Sequence, residues 1–342
     1  ARYRAERTYV HSLSWYKEQR IELLLGTKVL ALHPAEKTVE TDRGTFGYGK
    51  CIYALGAYNF IPPFPGRDLS GVHDLRTSRD LSALRRSALS ARHAAVIGGG
   101  VIGLEAAYLL AEQGLEVTVI ETAPFLMPRL LDEASARYLE SRMTRFRTIT
   151  AAKVLRIAGG DRAEAVELEG REPVAAEVVL VSCGVRANSA IAQAAGAAVE
   201  RAVVVDAHMA TTLPDVYACG DCAQFQGFNS ALWSQARAEG RVAGCNAAGQ
   251  DALYSGADTA LLLTCPEFSL YAEGDLGKDP NKHYTETLTI QESAPGFAVN
   301  PRTGALYERD FYTDGALAGV FLLGDLGGMQ QRRQELRGGG WG

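Results

Sequence analysis

The sharpest chemical signal in this 342-residue chain is the run Gly98-Gly99-Gly100-Val101-Ile102-Gly103, which reads G-x-G-x-x-G. Such a run turns the chain tightly, lets a phosphate approach bare backbone, and opens a helix whose N-terminus favours negative charge. Alone it is a weak signal. Here the apolar stretch Ala94-Ala95-Val96-Ile97 precedes it, and a helical stretch with small Ala106 and Ala107 follows. A second apolar stretch, Val117-Thr118-Val119-Ile120, then ends on Glu121. An acid about 20 residues past the loop completes the dinucleotide fingerprint, where it accepts hydrogen bonds from the adenosine ribose. The implied chemistry is NAD binding. Gly98 makes the turn, Gly100 bares the backbone, and Val101 and Ile102 start the helix. Gly103 lets helix and strand pack closely, and Glu121 takes the ribose diol. The same carboxylate repels a 2′-phosphate, and Thr122-Ala123-Pro124 brings no cation to hold one. NAD is therefore expected over NADP.

A second candidate is Cys219-Gly220-Asp221-Cys222, a C-x-x-C. It could be a redox dithiol. It could also be two small fillers around a Gly-Asp turn, and that reading is preferred. A metal site would need two more ligands at suitable spacing, and none is evident. The six histidines are scattered and no His-Pro pair occurs. Lone His283 reads as a surface residue, and Trp15-Tyr16 as packing.

The elements that must position these residues follow from pattern. Residues 1–20 read as a helix, and Ile21 to Leu25 and Lys28 to Leu32 as short strands. Thr38 to Thr41 and Gly44 to Tyr48 form a hairpin. Cys51 to Ala54 is a buried strand stopped by Gly56, with Pro62, Pro63 and Pro65 beyond it. Thr77 or Ser78 caps a helix to Ser87. Ala94 to Ile97, Gly103 to Gln113 and Glu116 to Ile120 form strand, helix and strand. A helix over about 132–144 follows, then strands at 153–157, 165–168, 178–182, 203–205 and 216–218. Ser230 to Ala248 has the alanine-rich pattern of a buried helix. Strands recur at 261–263, 285–291, 308–312 and 319–323, and the tail 332–342 is expected to fray.

Length suggests two to three domains. A net charge of −5 gives no basic surplus for nucleic acid. No apolar run is long enough to span a bilayer, and no signal peptide opens the chain. Six irregularly spaced cysteines suit a reducing, cytoplasmic setting.

The continuation Gly103-Leu104-Glu105-Ala106-Ala107 resembles the pyridine-nucleotide-disulfide oxidoreductase superfamily. Tyr53-Ala54-Leu55-Gly56-Ala57 with Ile61 to Gly66 resembles its "ATGA…PxxPG" crossover, with Leu55 where the family has Thr. Val185-Arg186-Ala187-Asn188 after Cys183-Gly184 resembles its "GVRPN" turn, with Ala187 where the family has Pro. Thr211 to Asp221 resembles the second flavin motif, and Leu232 to Ala236 with Glu239-Gly240 the helix after it. Gly71 to Thr77 and Leu317 to Asp325 look most like NADH-rubredoxin reductases and the NADH/FAD module of nitrite reductases.

The resemblance implies an α/β fold. Two Rossmann-like three-layer domains, the first incomplete, are expected with a small α+β C-terminal domain. The expected domains are FAD-binding (1–75 and 188–250), NAD-binding (76–187) and C-terminal reductase (256–330), with a tail (331–342). It implies FAD at Val29, Ala54, Gly56, Arg76, Asp221 and Trp233. Gly184 joins the NAD site, and Glu105 is placed at the contact of nicotinamide and flavin. The expected activity passes electrons from NADH through FAD to a small redox protein such as rubredoxin, or to a fused redox centre, in a possible homodimer. Two alternatives stay open: a thiol flavoenzyme of the NADH oxidase or coenzyme A disulfide reductase type, and an NADH-binding fragment without flavin. The family opens with its own strand–GxGxxG–helix unit for FAD, and none appears before Ala94. An N-terminally truncated chain is the expectation, binding NADH and holding FAD weakly or not at all.

Overall fold

Valine, isoleucine and alanine dominate the strands that carry the glycine loop, and these residues suit a sheet buried on both faces. The computed structural model describes residues 10–229, 231–256, 260–277, 279, 281–291 and 306–338. The chain runs α1 (Leu13–Glu18), β1 (Val29–His33), β2 (Thr38–Thr41), β3 (Gly44–Gly47), β4 (Cys51–Tyr53), β5 (Ala57–Asn59), β6 (Val72–His73), α2 (Ser78–Ala88) and β7 (His93–Ile97). It continues through α3 (Val101–Glu112), β8 (Glu116–Ile120), α4 (Glu133–Arg142), β9 (Arg147–Ile149), β10 (Val154–Ala158), β11 (Ala165–Leu168), β12 (Val174–Ala175), β13 (Val178–Val181) and β14 (Val185–Ala187). Then come α5 (Ala190–Ala194), β15 (Val203–Val205), β16 (Val216–Ala218), β17 (Ala223–Phe225), α6 (Trp233–Ala247), β18 (Leu261–Thr264), β19 (Ser269–Gly274), β20 (Thr285–Gln291), β21 (Leu306–Thr313), β22 (Ala316–Gly324) and α7 (Met329–Leu336).

Two units result: residues 1–58 with 186–257, and residues 59–185 with 258–342. The second holds a five-stranded sheet in the order β6-β13-β7-β8-β9, and its strands are parallel. Helices α2, α3 and α4 make the crossovers from β6 to β7, β7 to β8 and β8 to β9, and strands β10 to β12 lie on the way to β13. Ala94, Ala95, Val96 and Val119 are at most 1% exposed, so the site rests on a rigid floor. The same unit carries the antiparallel sheet β18-β19-β22-β21-β20. One face of that sheet joins the core beneath α3 and α4, where Phe268, Leu270 and Phe321 pack with Leu104, Tyr108 and Leu139. The first unit holds β1-β2-β3 and the parallel pairs β4–β16 and β15–β17. The architecture is thus the expected pair of Rossmann-like units with a C-terminal sheet.

Three local expectations need correction. Ile21 to Leu25 forms no strand. Its apolar side chains stand exposed, and among the described residues no strand pairs with it; β-propensity without a ladder does not make a strand. The N-terminal helix spans only Leu13–Glu18, from its Ser12 cap, and the chain leaves it through Arg20 at φ +57°; residues 1–9 lie outside the described ones. The tail does not fray from 332. Helix α7 forms because Met329 and Leu336 pack on Tyr271, Val320 and Leu322. Arg332 also pairs there with Glu308, Asp310 and Glu335.

Candidate dinucleotide and flavin sites

The glycine loop leaves β7 and enters α3 with each glycine under a different constraint. Gly98 has φ +113°, and a Cβ there would lie 2.2 Å from the Ser182 carbonyl oxygen. A Cβ on Gly103 would lie 2.0 Å from the Gly98 carbonyl oxygen. These two glycines let loop, strand and helix touch. Gly100 differs: nothing lies within 4 Å of its Cβ position. It faces open space at the start of α3, which has no side-chain cap. A free first turn, bare backbone and open space together make an anion cradle.

Glu121 closes the cradle at the end of β8. Its Oε2 accepts from the Gly99 N–H at 2.8 Å, and its Oε1 accepts from the Ala123 N–H at 2.8 Å. Each carboxylate oxygen keeps a second lone pair, so the group holds the loop and still faces a ligand. The segment after it folds back over the loop. Met127 N–H bonds the Gly99 carbonyl at 3.0 Å, and Leu126 lies where a Gly99 side chain would go.

That fold-back carries a cation that sequence reading missed. The Arg129 guanidinium lies 3.9 Å from the Cβ position of Gly184. Arg129 lies beyond Thr122-Ala123-Pro124 in sequence, and only the return of the segment over the loop, anchored by buried Leu126 and Leu131, brings it close. Gly184 follows β13, so Arg129 stands on the side of β7 away from Glu121. Cys183, between them, has its thiol pushed up to about 11 by burial and then by the Glu121 charge.

Gly98, Gly100, Val101, Ile102, Gly103, Glu121 and Gly184 therefore converge within one unit. Glu105 sits one turn along α3 from Ile102, and partial burial raises its carboxyl above the usual carboxylate range. Arg76 belongs to this unit as well, just before α2, where its N–H donates to the Asp80 carboxylate at 3.1 Å.

The remaining candidates lie in the other unit. Tyr53 pairs with Ala218 in β4–β16, so Ala54 and Gly56 emerge beside Cys219, Gly220 and Asp221. Asp221 sits in a 3-10 turn, Gly220–Cys222. Gly220 has φ +75°, and its N–H is held at 2.7 Å by Glu239 of α6, a wholly buried carboxylate. Helix α6 starts at Trp233 and also lacks a side-chain cap. Trp233 is exposed, with the Arg237 guanidinium 4.8 Å from its ring centroid. Val29 is apart, at the start of β1 in the separate three-stranded sheet. Cys219 and Cys222 are buried. Burial pushes the Cys219 thiol up to about 12, and the Cys222 thiol is raised by the same cause. Cys222 Sγ points at the carbonyls of Tyr53 and Cys219.

These features suit the two cofactors. Open space at Gly100 with Glu121 at its rim fits a dinucleotide. An uncapped α6 beside a held Gly220-Asp221 turn fits a flavin, whose ribityl hydroxyls need an acceptor and whose reduced form needs positive dipole ends.

Comparison with known proteins agrees. The profile described as pyridine nucleotide-disulphide oxidoreductase matches residues 3–240. The NAD(P)H nitrite reductase of Bacillus subtilis is 29% identical over 315 residues, 91% of this chain and 38% of that protein. The nitric oxide reductase FlRd-NAD(+) reductase of Vibrio vulnificus is 30% identical over 281 residues, 80% of this chain and 71% of that one. A ferredoxin reductase structure from Rhodopseudomonas palustris superposes with a TM-score of 0.82 at 25% identity, covering 95% of this chain and 79% of the other. The chain thus spans under half the length of its Bacillus relative. Among the described residues, no helix is long and apolar enough to cross a membrane.

Proposed function

The chain belongs to the pyridine nucleotide-disulphide oxidoreductase family, and from that premise we propose that it is an NADH-dependent FAD oxidoreductase passing electrons to a small redox protein. The observation that carries this reading is the sterically empty cradle at Gly100, bounded by Glu121 and the first turn of α3. The chain's own residues bind and orient. The first-turn amides of α3 receive the pyrophosphate, and Glu121 receives the adenosine ribose and disfavours a 2′-phosphate. Gly184 borders the nicotinamide half. Flavin, when bound, supplies the ability to take two electrons as hydride and release them singly. Asp221, Ala54 and Gly56 would hold it, with Val29 and Arg76 at its adenosine end. The α6 N-terminus and Trp233 would lie at its ring, and Glu105 where the two cofactors meet. The C-x-x-C takes no part in this scheme: both cysteines are buried fillers beside the Gly220-Asp221 turn, and burial raises both thiols.

Rubredoxin, or a redox centre fused to the same chain, is the proposed acceptor, in a cytoplasmic enzyme. The test adds NADH to the FAD-loaded full-length protein with rubredoxin present, and follows reduction of each. NADH-dependent rubredoxin reduction is expected. Turnover only with a disulfide or peroxide acceptor would transfer the protein to the thiol class.

A further inference from the structure

Beyond the glycine loop, the same unit contains a small, half-open cleft of about 20 Å³. Leu75, Ile102, Val181 and Val185 give it apolar walls, and Asn59 and Ser182 are its polar side chains. Sheet order says which part of a dinucleotide falls there. Glu121 ends β8, on one side of β7, and fixes the adenosine end. The glycine loop ends β7 itself and fixes the pyrophosphate. Strand β13 lies on the other side of β7, so the nicotinamide half must cross its carboxyl end. In open parallel sheets the ligand lies across this switch point. The cleft is lined by Val181, Ser182 and Gly184, which are that carboxyl end.

Asn59 enters the cleft with its orientation fixed. Its Nδ2 donates to the Asp74 carboxylate at 3.1 Å. An ionised carboxylate only accepts, so the amide nitrogen must face Asp74 and Oδ1 is the end left for a ligand. No described residue donates to it. The segment is held from behind as well, since the Phe60 N–H bonds the Gly184 carbonyl at 2.9 Å. An open mouth with apolar walls and one oriented acceptor suits the edge of a heteroaromatic ring that bears a primary amide.

We propose that Asn59, set by Asp74, recognises the nicotinamide carboxamide by accepting its N–H, and so selects for the amide-bearing ring. The proposal rests on the dinucleotide reading above and names the residue that reads the reactive end. An acceptor that is matched by the amide loses its partner when the substituent cannot donate.

The test uses oxidised ligands with the FAD-loaded protein, so that no hydride moves. Affinities are measured calorimetrically for NAD+, for its 3-acetylpyridine analogue, which lacks the amide N–H, and for ADP-ribose, which lacks the ring. The unaltered protein should bind NAD+ roughly tenfold more tightly than the acetyl analogue, the scale of one lost hydrogen bond. Asn59→Ala should weaken NAD+ by about the same factor and bind the two alike. Its affinity for ADP-ribose should be unchanged, which also shows that the unit is folded. Equal losses for NAD+ and ADP-ribose, no loss at all, or discrimination that disappears instead in Ser182→Ala would overturn the proposal. Failure of the unaltered protein to bind even ADP-ribose would overturn the dinucleotide reading itself, and the proposal with it.

Discussion

Both oxygens of Glu121 are engaged by backbone N–H groups of the loop and its return, so the carboxylate proposed to choose the cofactor also holds the loop's shape. Glu121→Ala removes the repulsion of a 2′-phosphate and both of these acceptors. It should lower NADH affinity and narrow the preference for NADH over NADPH by about tenfold, as read from kcat/KM with each. Glu121→Gln should not restore the unaltered behaviour, because its NH2 end would meet an N–H donor. Arg129 makes the opposite kind of contribution. Standing beside Gly184 and on the side of β7 away from Glu121, it would face the nicotinamide half of the dinucleotide and not the 2′ position. Arg129→Met should weaken NADH and NADPH equally and reduce the salt dependence of binding. The cysteines are expected to be silent. A thiol raised to about 12 is almost wholly protonated at neutral pH and gains thiolate only as pH rises toward that value. Cys219→Ser with Cys222→Ser should leave NADH-dependent dye reduction within a few-fold. Loss of turnover with flavin still bound would restore the dithiol reading.

At the scale of elements, the loop between β7 and α3 separates the two uses of glycine that its spacing predicts, close packing at Gly103 and open space at Gly100. Gly103→Ala forces a Cβ into the Gly98 carbonyl oxygen and should cost about 1–3 kcal/mol of stability, seen as a lower Tm. Gly100→Ala meets nothing and should leave Tm unchanged, yet weaken NADH because the methyl occupies ligand space. The βαβ unit itself was legible because apolar runs, glycine spacing and Glu121 are all local in sequence. Arg129 and Asn59 were not legible. Arg129 acts through the fold-back of 124–131, and Asn59 only after β13 brings Gly184 beside it. Helix α7 was misread for the same reason. Its residues are mostly polar, and both the apolar floor under Met329 and Leu336 and the acids on β19 and β21 come from strands that sequence proximity does not reveal. The strand expected at 21–25 erred oppositely, since pattern without a partner strand forms no ladder.

At the scale of the whole molecule, the C-terminal sheet shares its core with the NAD-binding unit. Tyr108 meets Phe268 edge-on at 5.9 Å, and its hydroxyl bonds Glu267 at 2.8 Å. Tyr138 stacks on Tyr307 at 4.2 Å, and Arg309 pairs with Asp132 at the cap of α4. A chain ended at Gly256 would uncover several such side chains, each worth about 1.5–3 kcal/mol of burial, against a total stability of about 5–15 kcal/mol. It should lose cooperative unfolding and nucleotide binding, as a calorimetric scan with and without NADH would show. What the cradle at Gly100 accepts decides the function. The most direct measurement is anaerobic rapid mixing of the FAD-loaded protein with NADH and, separately, NADPH, following loss of oxidised-flavin absorbance. The predicted result is saturable reduction by NADH, favoured over NADPH by about tenfold or more. Reduction by NADPH as efficient as by NADH, or no reduction by either, would contradict it.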